Sequence, residues 1–341
     1  MTRLRLDALR ASYLSIGGDP MLGFYFHVPF CHGKCPYCDF YSLPDSQEDM
    51  DAYVQAVLTS LAPWRDKLRN RELATVYFGG GTPSLLGAAR LGALLQGVKE
   101  GFSLSPTAEI TLEANPTHVD RDFFKEVREA GFNRLSMGLQ SADPAQLRLL
   151  GRAHSPQDAA LAVENARAAG FANISLDLML GLPGGSWETL KGSIAFAAGL
   201  GVEHISSYIL KVEPGTPFAA RGVQLPDDEE TSQQYLLLVE KLGKLGYAQY
   251  EISNFARPGR ESRHNLLYWR GEEYLGFALL FRGAALLLPP GFGRVPPGER
   301  PGGRRPRRGL WGVCHAEPAA DPGLAASGLP GPLWFGRHVP V

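Results

Sequence analysis

Three of the four cysteines in this 341-residue chain lie within eight residues. Cys31, Cys35 and Cys38 have the spacing C-x3-C-x2-C and directly follow an apolar run. Three thiolates on one loop can bind three irons of a cubane iron–sulfur cluster, and the fourth iron then stays open to another ligand. The alternative is a zinc site completed by His27 or His32, although zinc usually takes cysteines in paired spacings and this segment holds a single C-x2-C pair.

The composition narrows the classes of protein that could carry this motif. The apolar fraction of 44% is enough for a buried core, and the net charge of -1 provides no field for binding nucleic acid. Because no run of about 18 apolar residues occurs, the sequence predicts no membrane span. Clustered cysteines suit a metal site in a reducing compartment, and we expect a cytoplasmic protein in which residues 1–21 form an N-terminal extension.

The elements that must position the cysteine loop alternate between strand and helix. Short apolar runs rich in β-branched or aromatic residues predict strands at residues 22–28, 75–78, 109–112, 134–137, 174–179 and 204–209. Apolar residues three and four apart predict helices at residues 50–61, 90–100, 121–130, 156–169 and 187–198. These β/α units in series predict an α/β fold with a parallel sheet. The residues alone leave open whether that sheet is flat or curved.

Polar residues and glycines stand where successive predicted strands end. The carboxyl ends of parallel strands meet at one edge of a sheet, and ligands gather there. A carboxylate such as Glu113, at the end of an apolar strand, needs a polar or cationic partner. The sequence therefore predicts one ligand-binding rim. Its candidate residues are Cys31, Gly79, Gly80, Gly81, Thr82, Glu113, Gln140 and Asp177.

The cysteine segment, with Tyr37 just before the third cysteine, resembles the radical S-adenosylmethionine (SAM) superfamily. The run Tyr25-x-His27-x-Pro29-Phe30-Cys31 is similar to the branch of that superfamily related to oxygen-independent coproporphyrinogen III oxidase. This resemblance implies a partial (β/α)6 barrel that carries a 4Fe-4S cluster on the three cysteines, with SAM beside it. It also implies that Arg152 lies on the same wall as Glu113. By resemblance, the SAM-binding residues are Tyr25, Tyr37, Gly80, Gly81, Thr82, Glu113, Gln140, Arg152 and Asp177.

Two features within this branch separate a haem chaperone from the oxidase. The oxidase pattern has another cysteine two residues after the third ligand, whereas this chain has Asp39-Phe40 there, as in the HemW-type group of haem chaperones. The segment His264-Asn265-Leu266-Leu267-Tyr268-Trp269 resembles the H-N-x-x-Y-W signature of that group and makes His264 the candidate haem ligand. His27 and His32 are competing haem ligands. The structural alternative is a His264 held by local hydrogen bonds and packed by the two aromatic residues.

The resemblance implies a chaperone that binds haem and passes it to an acceptor protein, with respiratory haem proteins as one class of acceptor. A separate electron donor would reduce the cluster, and no catalytic residue is assigned. One alternative is oxygen-independent coproporphyrinogen III oxidase, which converts two propionate side chains to vinyl groups. Another is a radical SAM enzyme that acts on an unrelated substrate.

The resemblance ends near residue 277. We expect the radical SAM barrel at residues 22–225 and the start of the HemW-type C-terminal region at residues 226–277, with a helix at 226–245 and a strand at 247–255. Residues 278–341 are rich in Gly, Pro and Arg and predict an irregular tail. A shifted reading frame would produce such a change. Cys314 lies in this tail and is predicted to be a bystander.

Overall fold

The computed structural model describes residues 21–280 and 284–288, and it divides them into short strands joined by helices. The strands are β1 Leu22–Val28, β2 Phe30–Cys31, β3 Leu43–Pro44, β4 Glu72–Gly80, β5 Ser103–Ala114, β6 Arg134–Gln140, β7 Ile174–Leu180, β8 His204–Ile209, β9 Ala248–Gln249, β10 Asn254–Ala256, β11 Glu273–Leu280 and β12 Ala284–Leu288. The helices are α1 Gln47–Leu68, α2 Gly87–Gly101, α3 Arg121–Ala130, α4 Pro144–Leu149, α5 Pro156–Ala168, α6 Trp187–Gly199, α7 Pro217–Ala220, α8 Asp228–Lys244 and α9 Arg263–Arg270. No helix among these combines the length and apolar content needed to cross a bilayer.

All six predicted strands of the barrel are present, and they lie side by side in chain order. β1, β4, β5, β6, β7 and β8 pair in parallel, and at least one helix lies in each connection, since parallel strands need a crossover. The predicted partial (β/α)6 barrel is therefore confirmed. At one edge β11 pairs in parallel with β1, and β12 pairs antiparallel with β11. At the other edge β10 pairs antiparallel with both β8 and β9.

The alternation of side chains along each strand separates an apolar face from a polar one. On β1, Phe24, Phe26 and Val28 are fully buried, and the ring of Phe26 stacks on that of Phe78 with centroids 4.7 Å apart. The same buried cluster includes Val57 of α1 and residues of α2, α5, α6 and α8, so this face is the one that the helices cover. Each large side chain buried here stabilises the fold by about 1.5–3 kcal/mol.

The opposite face of the strands forms the inner wall of the barrel, and it is polar and aromatic. Hydrogen bonds link neighbouring strands across this wall, as buried polar groups require. Its side chains are Tyr25, His27, Thr75, Tyr77, Glu109, Thr111, Glu113, Arg134, Ser136, Ser175, Asp177, His204, Ser206 and Tyr208. The parity of the strands therefore assembles a polar interior from six separate segments of the chain.

Capping residues fix where the barrel helices begin and end. Ser46, Asp120, Ser155 and Ser186 each accept a hydrogen bond from a backbone N–H of the first turn of a helix. Such a cap stabilises a helix by about 1 kcal/mol. α3 ends at Gly131, whose φ of 118° lies in the left-handed region that favours glycine.

The region after residue 245 differs from the prediction in detail. α8 confirms the helix expected at residues 226–245, but the strand expected at 247–255 is divided into β9 and β10. Glu251 lies between the two strands, and its carboxylate accepts a hydrogen bond from the Ser253 backbone N–H at 3.0 Å, which closes a turn. α9 was not predicted at all. Its Ser262 N-cap accepts from the Asn265 N–H, and Gly271 ends it with a φ of 64°.

Part of the segment expected to be irregular, residues 278–341, lies in strands. β11 continues to Leu280, and residues 284–288 form the further strand β12, because an apolar Ala- and Leu-rich segment can pair with the edge that β11 offers. The rest of the expected tail, including Cys314, lies outside the described residues, as do residues 1–20 of the expected N-terminal extension.

Candidate functional site

The three cysteines lie on and just after β2, beyond the carboxyl end of β1, and each is partly buried. The Cys38 N–H donates to the Cys35 carbonyl oxygen at 3.0 Å, so the loop turns back on itself. Burial raises the pKa of Cys31 and that of Cys38, because a thiolate loses hydration there. A positively charged metal would reverse this preference and keep the thiolates ionised.

Two side chains from other segments of the chain contact the thiols, one just after β4 and one between α4 and α5. The Thr82 hydroxyl lies 3.7 Å from Cys31 Sγ, and the Arg152 Nη1 lies 3.7 Å from Cys35 Sγ, each as a hydrogen-bond donor. The Thr82 contact lowers the pKa of Cys31 and so opposes the effect of burial there. The residues predicted on neighbouring parts of the rim are thus brought to the cysteine loop.

The arrangement of donors fits a cluster better than a single ion. Within the described ranges, no three His, Cys, Asp or Glu side chains form a group that could hold one metal ion. A cubane needs no such convergence, since each thiolate binds a different iron. His27 contacts the Tyr41 carbonyl oxygen at 3.4 Å, and His32 pairs with Asp45 at 2.9 Å. Each imidazole therefore already has a hydrogen-bond partner other than a thiol.

The glycine run after β4 packs directly under the cysteine loop. The Gly81 N–H donates to the Val28 carbonyl oxygen at 2.8 Å, and the Thr82 N–H donates to the Phe30 carbonyl oxygen at 2.7 Å. A Cβ on Gly81 would lie 2.7 Å from that same Phe30 oxygen. The glycine is therefore required for the contact between the two loops, a requirement that acts before any ligand binds.

Glu113 has the polar partners that its buried position requires. The Tyr77 hydroxyl donates to its Oε1 at 2.7 Å, and the Gly80 N–H donates to its Oε2 at 3.1 Å. Burial, and then the nearby charge of Asp177, raise the pKa of Glu113 to about 7. Arg152, expected on the same wall, has its described hydrogen bond with Cys35 Sγ and not with Glu113.

Gln140, Arg152 and Asp177 gather around Gly138 at the end of β6. A Cβ on Gly138 would lie 2.3 Å from Arg152 Nη2 and 2.6 Å from Gln140 Nε2, so both side chains occupy the space above the glycine. Gln140 has a φ of 66°, at a register shift between β6 and β7. A non-glycine residue in this region is strained, and such strain is held by the surrounding structure.

Asp177 faces the same space from β7, directly opposite Gly138. The Ser136 hydroxyl donates to its carboxylate at 3.3 Å. Burial raises the pKa of Asp177 to about 6 against the hydrogen bonds that favour its ionised form. The rim thus holds two buried carboxyl groups, Glu113 and Asp177, whose ionised forms a nearby cation would stabilise.

The two predicted tyrosines occupy different parts of the site. Tyr37 lies within the cysteine loop, its ring packs edge-on against Phe218, and burial raises its pKa while the Arg152 charge opposes that shift. Tyr25 lies deeper on the inner wall, where its hydroxyl is 3.3 Å from His27 Nδ1 and its ring stacks with that of Tyr77 at 6.0 Å. Tyr37 therefore borders the cysteines directly, whereas Tyr25 lines the wall below them.

His264 is not at the rim. It lies beside Gly23 and Thr75, near the amino ends of β1 and β4, and is 1% exposed. Its Nδ1 is 2.7 Å from the Thr75 hydroxyl and its Nε2 is 2.9 Å from the Tyr268 hydroxyl. Burial, and then the Arg134 charge, lower its pKa to about 3. This position does not suit an axial haem ligand, and it matches the alternative in which local hydrogen bonds hold His264.

Comparison with known proteins decides the family. The family model of the radical SAM superfamily matches residues 25–197. The heme chaperone HemW of Mycobacterium tuberculosis is 44% identical over 266 residues, which cover 76% of this chain and 68% of that protein. The chain belongs to the HemW-type branch of the radical SAM superfamily. The heme chaperone HemW of Escherichia coli is 43% identical over 258 residues, and that of Bacillus subtilis is 40% identical over 258 residues. These matches cover 75% and 74% of this chain, respectively, and 68% of each relative.

A solved structure agrees with the fold of this HemW-type chain. Coproporphyrinogen III oxidase (HemN) from Escherichia coli, described as a radical SAM enzyme, superposes with a TM-score of 0.69 at 24% sequence identity. The match covers 83% of this chain and 67% of that one. At this identity the likeness shows a common fold. The family resemblance that the cysteine segment indicated is confirmed by the family model and the HemW relatives.

Sequence reasoning missed three residues of the site in this HemW-type chain. Tyr77 orients Glu113, Ser136 binds Asp177, and Gly138 leaves room for Arg152. The signal for Tyr77 and Ser136 was strand parity, because each lies on the same face as a predicted rim residue. No signal in the sequence identifies the role of Gly138, since it depends on where Arg152 folds back.

Proposed function

We propose that this chain is a haem chaperone that binds haem, a 4Fe-4S cluster and SAM, and transfers haem to an acceptor protein. The observation that carries the proposal is the 44% identity to heme chaperone HemW over 266 residues. Phe40 supports it, because it stands two residues after Cys38, where the oxidase pattern requires a further cysteine.

Cys31, Cys35 and Cys38 would hold the cluster. A bound cluster supplies one electron, and SAM bound at its open iron is the molecule that this electron can cleave. Thr82 and Arg152 donate toward two of the sulfurs, and such hydrogen bonds to cluster sulfurs adjust the reduction potential. Partial burial of the cysteine loop limits access of water to that position.

The remaining rim residues suit the charges and hydrogen-bonding groups of SAM. The amino group and sulfonium of SAM are cationic, and Glu113 and Asp177 are carboxylates that are costly to ionise without a cation. Backbone groups of Gly80 and Gly81 face the amino group in our assignment, with Thr82 beside them. Gln140 and Arg152 complete the wall, Asp177 accepts from the ribose hydroxyls, and Tyr25 and Tyr37 border the methionine and adenine parts.

We propose that haem binds at the surface near the cysteine loop, away from the amino ends of the barrel strands where His264 lies. An axial imidazole needs a ring nitrogen that a porphyrin iron can reach. Among the described histidines whose side chains are placed, His32 is the exposed one, with 71% of its side chain accessible beside Cys31. We expect haem to bind near the cysteine loop and not at His264. Haem would pass from here to an acceptor protein, and an electron donor would bind at the same rim. We further propose that the protein is cytoplasmic, and that the radical SAM barrel ends at residue 225 and the HemW-type C-terminal region begins at residue 226.

An anaerobic haem titration of the cluster-reconstituted protein tests this function. We expect saturable binding with a shifted Soret band in the wild type, and the same axial-ligand spectrum in His264→Ala. His32→Ala is the matched substitution at the exposed histidine, and we expect it to weaken binding. An assay with coproporphyrinogen III runs beside it. No saturable haem binding with an intact cluster, or formation of vinyl groups from coproporphyrinogen III, would contradict the chaperone proposal.

A further inference from the structure

Helix α9 closes the floor of the barrel at the amino ends of the strands. The backbone N–H groups of Arg263 and His264 donate to the two carboxylate oxygens of Glu109 at 3.2 and 3.1 Å. Glu109 pairs in turn with the buried Arg134 at 4.0 Å. A Cβ on Gly23 would lie 2.4 Å from a methyl of Leu267, so α9 packs on β1 at a distance that only glycine permits. The position of α9 is therefore fixed from several sides.

The His264 ring is held in one orientation by this floor. Thr75 and Tyr268 engage its two nitrogens, at 2.7 and 2.9 Å, which fixes the rotation of the imidazole. The ring then stacks on that of Tyr77, with centroids 5.0 Å apart and planes inclined by 27°. Because Thr75 and Tyr77 lie on the same face of β4, one imidazole contacts both residues.

A continuous set of contacts leads from Tyr77 to the cysteine loop. The Tyr77 hydroxyl donates to Glu113 at 2.7 Å, and the other carboxylate oxygen accepts from the Gly80 N–H at 3.1 Å. The next residue, Gly81, donates to Val28, which ends the strand that leads into the cysteines. Tyr77 therefore orients the Glu113 carboxylate, and this carboxylate is in turn bonded to Gly80 of the glycine run.

We propose that His264 is a positioning residue for SAM binding, which acts by holding Tyr77 so that Glu113 and Gly80 keep the geometry of the SAM site. This inference rests on the proposed function, because it takes Glu113 as a SAM contact. It assigns to the H-N-x-x-Y-W segment a role in the barrel interior. Tyr268 belongs to the same role, since its hydroxyl engages the second ring nitrogen of His264.

A double-mutant cycle on SAM affinity tests the inference. Isothermal titration calorimetry under anaerobic conditions measures the Kd for SAM in cluster-reconstituted wild type, Tyr77→Phe, His264→Ala and the double variant. We expect Tyr77→Phe to weaken SAM binding about tenfold, because a hydrogen bond to a charged group is lost. His264→Ala should weaken it by a similar factor. The double variant should be no weaker than either single variant within about twofold, since both substitutions remove one shared contact.

A matched control separates positioning from general stability. His204 is also fully buried in the barrel and bonds Ser175 and Tyr250 at 2.7 and 2.9 Å, without a ring contact to Tyr77. The losses from His204→Ala and Tyr77→Phe should therefore multiply. His264→Asn keeps a group that can bond Thr75 and should recover part of the SAM affinity. If His264→Ala fails to retain the cluster, the cycle is measured with His264→Asn instead.

Each other outcome has a distinct meaning. Losses that multiply for His264→Ala and Tyr77→Phe, as in the control, would overturn the positioning role and leave a structural one. SAM affinity unchanged in His264→Ala would overturn it as well. Loss of the axial haem spectrum in His264→Ala, with SAM affinity intact, would make His264 a haem ligand. A wild-type protein that holds its cluster but binds no SAM would overturn the proposed SAM site itself.

Discussion

Two carboxyl groups on the inner wall, those of Glu113 and Asp177, are costly to ionise because they are buried. Burial, followed by the Asp177 charge, raises the pKa of Glu113 from 4.5 to about 7. Burial raises that of Asp177 from 3.8 to about 6, although hydrogen bonds from Ser206 and Ser136 oppose the shift. Both groups therefore bind protons more tightly in the folded, cofactor-free protein than in the unfolded chain, and stability must depend on pH.

The sign of this dependence gives the first prediction. Because the folded pKa of Glu113 lies above its unfolded value, its contribution to stability is present below about pH 4.5 and is lost as pH rises through about 7. Between pH 5 and 8 we expect the cofactor-free wild type to lose about 2 kcal/mol more unfolding free energy than Glu113→Gln. Urea unfolding at the two pH values measures the difference. Glu188→Gln, at an exposed position, is the control, and an identical slope in Glu113→Gln and wild type would contradict the assignment.

The sequence identified residues whose role follows from type and spacing. The cysteine spacing and the polar residues at the strand ends were readable because parallel topology forces strand ends together. Partners were not readable. Glu113 needed a donor, but the choice of Tyr77 over Arg152 depends on strand parity and on a thiol that attracts the guanidinium. The burial of His264 could not be read from its segment, because the location of this residue depends on the packing of a helix that was not predicted.

Helix α9 shows how an element can depend on tertiary contacts. It has eight residues, fewer than an isolated helix needs to be stable in water. Half of its residues are Leu or Arg, which favour a helix, but eight residues are too few to show a helical period, and only Ser262 and Gly271 mark its ends. The buried Glu109 carboxylate accepts hydrogen bonds from the first backbone N–H groups of α9, and this tertiary contact stabilises the short helix.

The buried pair beneath α9 gives a prediction at the scale of this element. Glu109→Gln leaves the guanidinium of Arg134 buried, at 2% exposure, without its carboxylate partner. We expect the unfolding free energy to fall by about 3–5 kcal/mol. The half-exposed pair of Arg71 and Glu273 serves as the control, and Glu273→Gln should cost about 0.2–1 kcal/mol. Equal losses for the two substitutions in urea unfolding would show that Glu109 does not anchor the helix.

Over the whole molecule, the order of the strands was predictable and the curvature of the sheet was not. Six β/α units read directly from periodicity, whereas the choice of a curved sheet came from the family resemblance. The edge strands β11 and β12 were not predicted, because β11 is interrupted by Gly276 and β12, Ala-Ala-Leu-Leu-Leu, has no polar residue to show an alternation. The rim depends on this complete arrangement, since its residues come from five neighbouring strands of the sheet, from the cysteine loop and from the segments that hold Thr82 and Arg152.

Electron paramagnetic resonance of the anaerobically reconstituted and reduced protein tests most directly whether this rim is a radical SAM site. We predict about four irons per chain and a reduced-cluster signal that changes when SAM is added, because one iron stays open. Cys38→Ser should lose the signal, while Cys314→Ser, outside the motif, should keep it. A protein that binds one zinc ion at the three cysteines, or a cluster whose signal ignores SAM, would contradict the central claim.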